Sequence, residues 1–221
     1  MVDILHPSML DLEALMDVQR KVAGRVIRRD DFEKLERVCG CDVSAERDGS
    51  AWAACVVVDR RSLSVLESRV ARVKLRFPYI PTFLAFRELE AMLGVAGKVE
   101  ADVYIVGAHG VAHPRRAGLA SHLGVALDKP SFGVAKSLVC GECGEPPNRR
   151  GAYLHVRDGG EIIGAALRTV RGAKPVYVSV GHRVSLRTSI RLTVQTSKYR
   201  IPEPLRMAHN LAKKASLSQV F

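Results

Sequence analysis

The chemistry in this chain starts with an acid in an unfavourable place. Asp42 closes the apolar run Val38-Cys-Gly-Cys-Asp42-Val-Ser44, and a carboxylate embedded in an apolar strand is costly unless something pairs with it. A divalent cation is one such partner, since Mg²⁺ prefers carboxylate oxygens and keeps several waters. Backbone amides at a strand edge are another. Lys136 closes a second apolar run, Ser131-Phe-Gly-Val-Ala-Lys136. A residue at the C-terminal end of an α/β strand sits where ligands bind, and a lysine there can orient a water or offset charge on a phosphate oxygen. His182, in Ser179-Val-Gly-His182-Arg183, follows a third run and precedes an expected helix. An imidazole there can ligate a metal or meet a phosphate at the helix N-terminus. Lys136 and His182 also read as ordinary structural side chains.

Two further segments suit contact with a nucleic acid. Pro78-Tyr79-Ile80-Pro81 sets an aromatic and an aliphatic residue between two prolines. The result is a stiff element that either wedges between bases or serves as a rigid turn. Glu88 lies on the helix expected next and can point back to the sheet end. His109, His113, Arg115 and Arg116 form a compact basic cluster interleaved with Gly107, Ala108, Gly110 and Ala112. The small residues let a ligand approach the backbone. The same pattern fits a glycine-rich turn carrying exposed basic side chains.

Composition agrees with a polyanionic partner. The chain carries 34 Lys+Arg against 23 Asp+Glu in 221 residues, a formal net charge of +11, and nucleic acid leads the partners such a balance attracts. Charge alone does not choose between DNA and RNA. Aliphatic residues must fill most of the core, because hydrophobic content is 47% and aromatic content only 5%; one domain over residues 1–221 is expected. No apolar run approaches the ~18 residues of a membrane span, and the N-terminus lacks the basic and apolar regions of a signal peptide. A cytoplasmic monomer with no membrane partner is therefore expected. The five cysteines are an odd number, which argues against a secreted disulfide framework. Cys140-Gly-Glu-Cys143 is a lone pair that would need two more ligands for zinc. A local disulfide and plain loop thiols are its other readings. Cys39 and Cys41 should behave as small core residues.

These residues must be positioned by alternating elements. Helical spacing of apolar residues covers 9–29, broken only by Gln19, with acids near its start and arginines near its end, as the helix dipole favours. Three strands follow, Arg37–Ser44, Ala51–Asp59 and Val65–Lys74, joined by short polar connections that read as hairpins. A helix over Pro81–Leu93, a strand at Val103–Val106, a helix near Ala117–Leu127 and a strand at Ser131–Ala135 come next. A loop at 141–151 leads to strands at Tyr153–Val156, Ile162–Val170 and Val176–Val180. One helix begins at 183–186 and runs through Val194, and a last amphipathic helix lies between Pro202 and Phe221. Three antiparallel strands followed by alternating helices and strands predict an α/β domain. Its central sheet is mixed, three antiparallel strands and then parallel ones, flanked by helices. Ribonuclease H-like folds share this order, although order alone does not separate them from other mixed α/β folds.

Taken together, the blocks resemble the endonuclease V family. They are Cys41-Asp-Val-Ser44, Pro78-Tyr-Ile-Pro81 with Phe86-Arg-Glu88, His109-Gly-Val-Ala-His-Pro-Arg-Arg116, Gly118-Leu-Ala-Ser-His-Leu-Gly124, Gly133-Val-Ala-Lys-Ser137, Gly181-His-Arg-Val-Ser185 and Tyr199-Arg-Ile-Pro-Glu-Pro204. The match runs from about residue 37 to residue 206. It implies a ribonuclease H-like fold, Mg²⁺ or Mn²⁺ dependence, and cleavage of inosine-containing DNA or RNA at the second phosphodiester 3′ to the deaminated base. It implies that Asp42 is a metal ligand, that Glu88 is an active-site glutamate able to share the metal, and that Lys136 and His182 lie near the scissile phosphate. It further implies that Pro78, Tyr79, Ile80 and Pro81 fill the gap left by the displaced base. Gly118 and Leu119 would line that base's pocket, and His109, His113 and Arg115 would belong to the basic nucleic-acid motif.

One departure stands out. The family usually reads Asp-Gly before the equivalent of His109-Gly110, and the aspartate binds metal; this chain reads Gly107-Ala108. Losing a carboxylate should weaken Mg²⁺ and activate the attacking water less. Asp102 is a poor substitute, since five residues along a strand put it on the opposite face and ~16 Å away. His109 could supply a nitrogen ligand, which would favour Mn²⁺. The resemblance thus leaves two readings: an active or weakened nuclease, and a homologue that binds nucleic acid without cutting it.

Overall fold

The computed structural model describes residues 10–46 and 48–218. β1 (Arg37–Ala45), β2 (Ser50–Asp59) and β3 (Val65–Lys74) form an antiparallel meander. β4 (Val103–Val106) and β5 (Ser131–Ala135) then add in parallel to β1. Two helices, α2 (Leu84–Ala96) and α3 (Leu119–Leu127), make the crossovers. The expected mixed sheet is therefore present. It continues past β5 through the antiparallel strands β8 (Val176–His182), β7 (Glu161–Leu167) and β6 (Tyr153–Asp158), giving the order β3-β2-β1-β4-β5-β8-β7-β6. α1 (Leu12–Arg25) lies against α3, and α4 (Leu186–Gln195) and α5 (Glu203–Leu217) complete the chain.

Helices cover both faces because strand side chains alternate. On β1, Val38 joins the cluster containing Leu192 of α4 and Leu205 and Ala208 of α5. Cys39 and Cys41 point the other way, into α2 and α3, and are small buried core residues as expected. Gly40 faces α5 at backbone distance: a Cβ there would lie 2.2 Å from the carbonyl carbon of Pro204. This contact draws α5 across β1 and sets the height of everything further along the helix. All five cysteines are free thiols. Cys140 and Cys143 pack against a small cluster of Ala112, Val156 and Ile163.

Some boundaries differ from the sequence reading for local reasons. The helix expected over 9–29 stops at Arg25, and Ile27 instead donates its amide to His182 Nδ1 at 3.3 Å; residue 9 lies outside the described residues. Gln19, which broke the apolar spacing, is the one buried residue of that helix. The helix expected from Pro81 starts at Leu84. Before it, Phe83 N donates to Ile80 O at 3.0 Å, closing a turn over Pro81 and Thr82. The strand expected to reach Val170 ends at Leu167, where the buried Arg168 turns to bond Glu145 and the Pro146 carbonyl. The last helix ends at Leu217, and residues 219–221 lie outside the described part. Among the described residues, no helix is long and apolar enough to cross a membrane.

Candidate active site

The parallel register pairs Cys41 with Val106, and Gly107 N donates to Cys41 O at 3.2 Å. Asp42 and Gly107 therefore sit side by side as β1 and β4 come to the sheet edge. Asp42 shares the parity of Val38 and Gly40, so it faces α5, and there His209 Nδ1 lies 2.7 Å from its Oδ2. Its other oxygen leans over Gly107: a Cβ at residue 107 would lie only 2.6 Å from Asp42 Oδ1. The carboxylate thus occupies space that any side chain at 107 would need. Burial pushes the Asp42 pKa up, while His209, the Val43 amide and Lys136 act in the opposite sense.

Glu88 reaches the same region from α2. Burial first, and then the charge of Asp42, lift its pKa to about 7. Arg87 offsets little of this, and its Nη1 is engaged with the Phe77 carbonyl at 2.6 Å. Two desolvated carboxylates, one of which opposes the ionisation of the other, are a setting that a cation relieves. They fit a water-rich Mg²⁺ or Mn²⁺, which needs only one or two protein carboxylates when a substrate phosphate completes the shell. They are not a full protein cage, since no group of three metal-ligating side chains exists among the described residues.

A cleft of about 350 Å³ opens beside Asp42, and Glu88 is not among the residues that line it. Asp42, Gly107, Lys136 and His209 form one part of its lining, and Tyr79, Ile80 and Pro81 form another. Tyr79 is 69% exposed, so the bracketed loop projects. Lys136 is exposed just past β5, close enough to favour the ionised form of Asp42. Gly118 and Leu119, at the start of α3, also line the cleft. At Gly118 a Cβ would meet the carbonyl oxygens of His109 at 2.3 Å and Gly110 at 2.8 Å. That glycine is required first by the backbone of the neighbouring loop.

Other sequence candidates are placed differently. His182 ends β8, buried, with Nε2 3.3 Å from Asp128 and Nδ1 accepting from Ile27; it is a structural link to α1 and does not line the cleft. Asp102 accepts from the amides of Glu36 and Arg37 at the start of β1, so it cannot stand in for a carboxylate at 107. His109 does line the cleft, but its Nε2 bonds the Ser137 carbonyl at 2.8 Å and its Nδ1 has no protein partner. Burial holds its pKa below the usual value. The imidazole beside Asp42 is that of His209 instead. His113 and Arg115, assigned to the nucleic-acid motif, both turn inward to Thr82, and His113 also lines the cleft. Arg116 pairs with Asp158 and Glu161.

His209 and Gln19 were not picked out from sequence. His209 lies three residues after Arg206 on α5, while Leu205 and Ala208 of that helix are buried. Helical spacing could have shown that residues 206 and 209 share a face, but nothing local says that this face meets Asp42.

A mixed sheet of this order, with helices on both faces, is a ribonuclease H-like fold. The chain belongs to the endonuclease V family, whose profile matches residues 20–210. It is 46% identical over 198 residues to an endonuclease V of Roseiflexus sp. (strain RS-1), covering 88% of this chain and 89% of that one. The crystal structure of an endonuclease V from Streptomyces avermitilis superposes with a TM-score of 0.88 at 38% identity, covering 95% of this chain and 94% of the other. An endonuclease V from Ciona intestinalis, solved with a 23mer DNA containing an inosine followed by a ribo-adenosine, superposes with a TM-score of 0.83 at 28% identity, covering 97% and 99% of the two chains.

Proposed function

We propose that this chain is a metal-dependent endonuclease that cuts DNA or RNA near inosine, at the second phosphodiester on the 3′ side of the deaminated base. The observation that carries the reading is convergence. Asp42, Lys136, His209 and Tyr79–Pro81 line one cleft, and burial together with the charge of Asp42 lifts the Glu88 pKa to about 7. The inosine-containing DNA held by the Ciona neighbour supports the substrate class.

A Mg²⁺ or Mn²⁺ ion held by Asp42 and Glu88 would supply a Lewis acid to water and phosphate. The chain's own groups do the rest. With Nδ1 tied to Asp42, His209 keeps Nε2 to take or give a proton. Lys136 offsets charge on the phosphate oxygens. The Pro78–Pro81 loop takes the place of the extruded base in the stack, and the cleft receives that base, which reduces the cost of unstacking it. Mn²⁺ should serve better than Mg²⁺, because one carboxylate is missing and His109, which lines the cleft with Nδ1 lacking a protein partner, is the imidazole that could supply a nitrogen ligand.

A specific observation keeps a second reading alive. Asp42 leans over Gly107 and is bonded to His209, so the protein can bind inosine-containing strands with its carboxylate satisfied and no cutting. Single-turnover cleavage of inosine strands in Mg²⁺ and in Mn²⁺ separates the two. Cutting by the unchanged chain supports the nuclease. Tight binding without cutting in either metal, with cutting gained by Gly107→Asp, would establish the binder instead.

A further inference from the structure

The projecting segment at the side of the cleft is tied at its second end by residues to which the chemistry above gives no role. Thr82 has a φ of 68°. It occupies the third position of the turn from Ile80 to Phe83, where a positive φ normally selects glycine. A β-branched residue is strained there, so something must hold it. Three side chains from distant parts of the chain do so. Gln19 Nε2 donates to the Thr82 carbonyl at 2.8 Å. His113 Nε2 lies 2.8 Å from the same oxygen and must carry its proton toward it. Arg115 Nη2 donates to Thr82 Oγ1 at 2.7 Å and reaches the carbonyl at 3.3 Å.

The three also fix one another. Arg115 Nε donates to Gln19 Oε1, the Arg115 amide donates to His113 Nδ1 at 3.2 Å, and the guanidinium lies 4.7 Å over the Phe83 ring. Gln19 is fully buried, an expensive position for an amide unless its bonds are made. Burial also lowers the His113 pKa to about 4, so the ring is neutral near pH 7 and its tautomer is set by its two partners.

We propose that Gln19, His113 and Arg115 are positioning residues that hold the Pro78–Pro81 loop in its projecting form before nucleic acid arrives. The role rests on the reading that this loop enters the stack. Preorganisation removes the ordering cost from binding, so the clamp acts through the loop; Gln19 and His113 also border the cleft, which is why exchange in the free protein, and not affinity alone, judges the role.

The test is a double-mutant cycle. Gln19→Leu removes two clamp bonds at similar volume, and Thr82→Gly removes the need for a clamp, because glycine takes a positive φ freely. Hydrogen exchange is read at the amides of residues 80–84 in the free protein, together with affinities for strands with and without inosine. Gln19→Leu should speed exchange about tenfold and cut the preference for inosine by a similar factor, with little change for inosine-free strands. In the Thr82→Gly background the same substitution should change each by threefold or less. Arg115→Met carries the same test if Gln19→Leu does not fold. Unchanged exchange, or equal effects in both backgrounds, overturns the clamp. An unchanged protein with no inosine preference overturns the substrate reading alone, since exchange in the free protein still judges the clamp.

Discussion

Gly107→Asp probes the site more sharply than any other substitution. Its Cβ would begin 2.6 Å from Asp42 Oδ1, so Asp42 must rotate away. That motion strains or breaks the 2.7 Å bond to His209, a charge-assisted contact worth ~1.5–3 kcal/mol. The new carboxylate also adds repulsion. At about 5 Å and an effective dielectric of ~20, each like-charged neighbour contributes ~3 kcal/mol, part of which Glu88 avoids by holding its proton more tightly. Without metal, a net loss of ~4–6 kcal/mol is expected. For a chain of this size that lowers the melting temperature by roughly 10–20 °C. With a divalent cation the three carboxylates become ligands, and saturation at about 100 times Kd returns ~2.7 kcal/mol. Thermal melts in EDTA and in Mn²⁺ therefore should show the variant below the unchanged protein in the first condition and shifting further upward in the second. Equal melting in EDTA, or equal Mn²⁺ shifts, would refute the idea that Asp42 occupies the place of a missing ligand.

Other outcomes follow from the same geometry. The folded-state pKa of Glu88, about 7, is above its ordinary value of 4.5, so the folded chain binds the extra proton and stability falls as pH rises through that window, then levels off. Glu88→Gln should flatten this dependence in metal-free denaturant titrations, stabilise the protein at pH 8 by ~1–3 kcal/mol, and remove its response to Mn²⁺. Lys136→Ala should slow single-turnover cleavage by ~100-fold or more while weakening inosine-strand binding far less; an equal loss in both would assign the lysine to binding. Gly40→Ala should destabilise by several kcal/mol, on the order of 3 or more, because its methyl would meet the Pro204 backbone at 2.2 Å. A circular-dichroism melt near that of the unchanged protein would show that α5 can move off β1 cheaply.

The sheet was legible in the sequence because its strands are apolar runs cut by polar turns, and Asp42 and Lys136 stood out as charges closing such runs; Glu88, inside a helix, had no local signal and was marked only by the family resemblance. What was not legible depended on distance in sequence. His209 meets Asp42 across 167 residues, through an α5 crossing that Gly40 permits, and no local pattern encodes that approach. Gln19 looked like a flaw in an amphipathic helix, and it is buried because Thr82 and Arg115 satisfy its amide. His113 and Arg115 read as part of a basic nucleic-acid motif or as exposed side chains of a turn, because side-chain direction cannot be read from composition; their bonds to Thr82 place them under the loop. His182 had the right neighbours in sequence and the wrong end of its strand in space.

Diffraction from crystals soaked in Mn²⁺, read by its anomalous signal, tests the central claim most directly. A single peak within coordination distance of both the Asp42 and Glu88 carboxylates is the predicted result. A peak elsewhere, or none at a concentration that supports cleavage, would contradict the account.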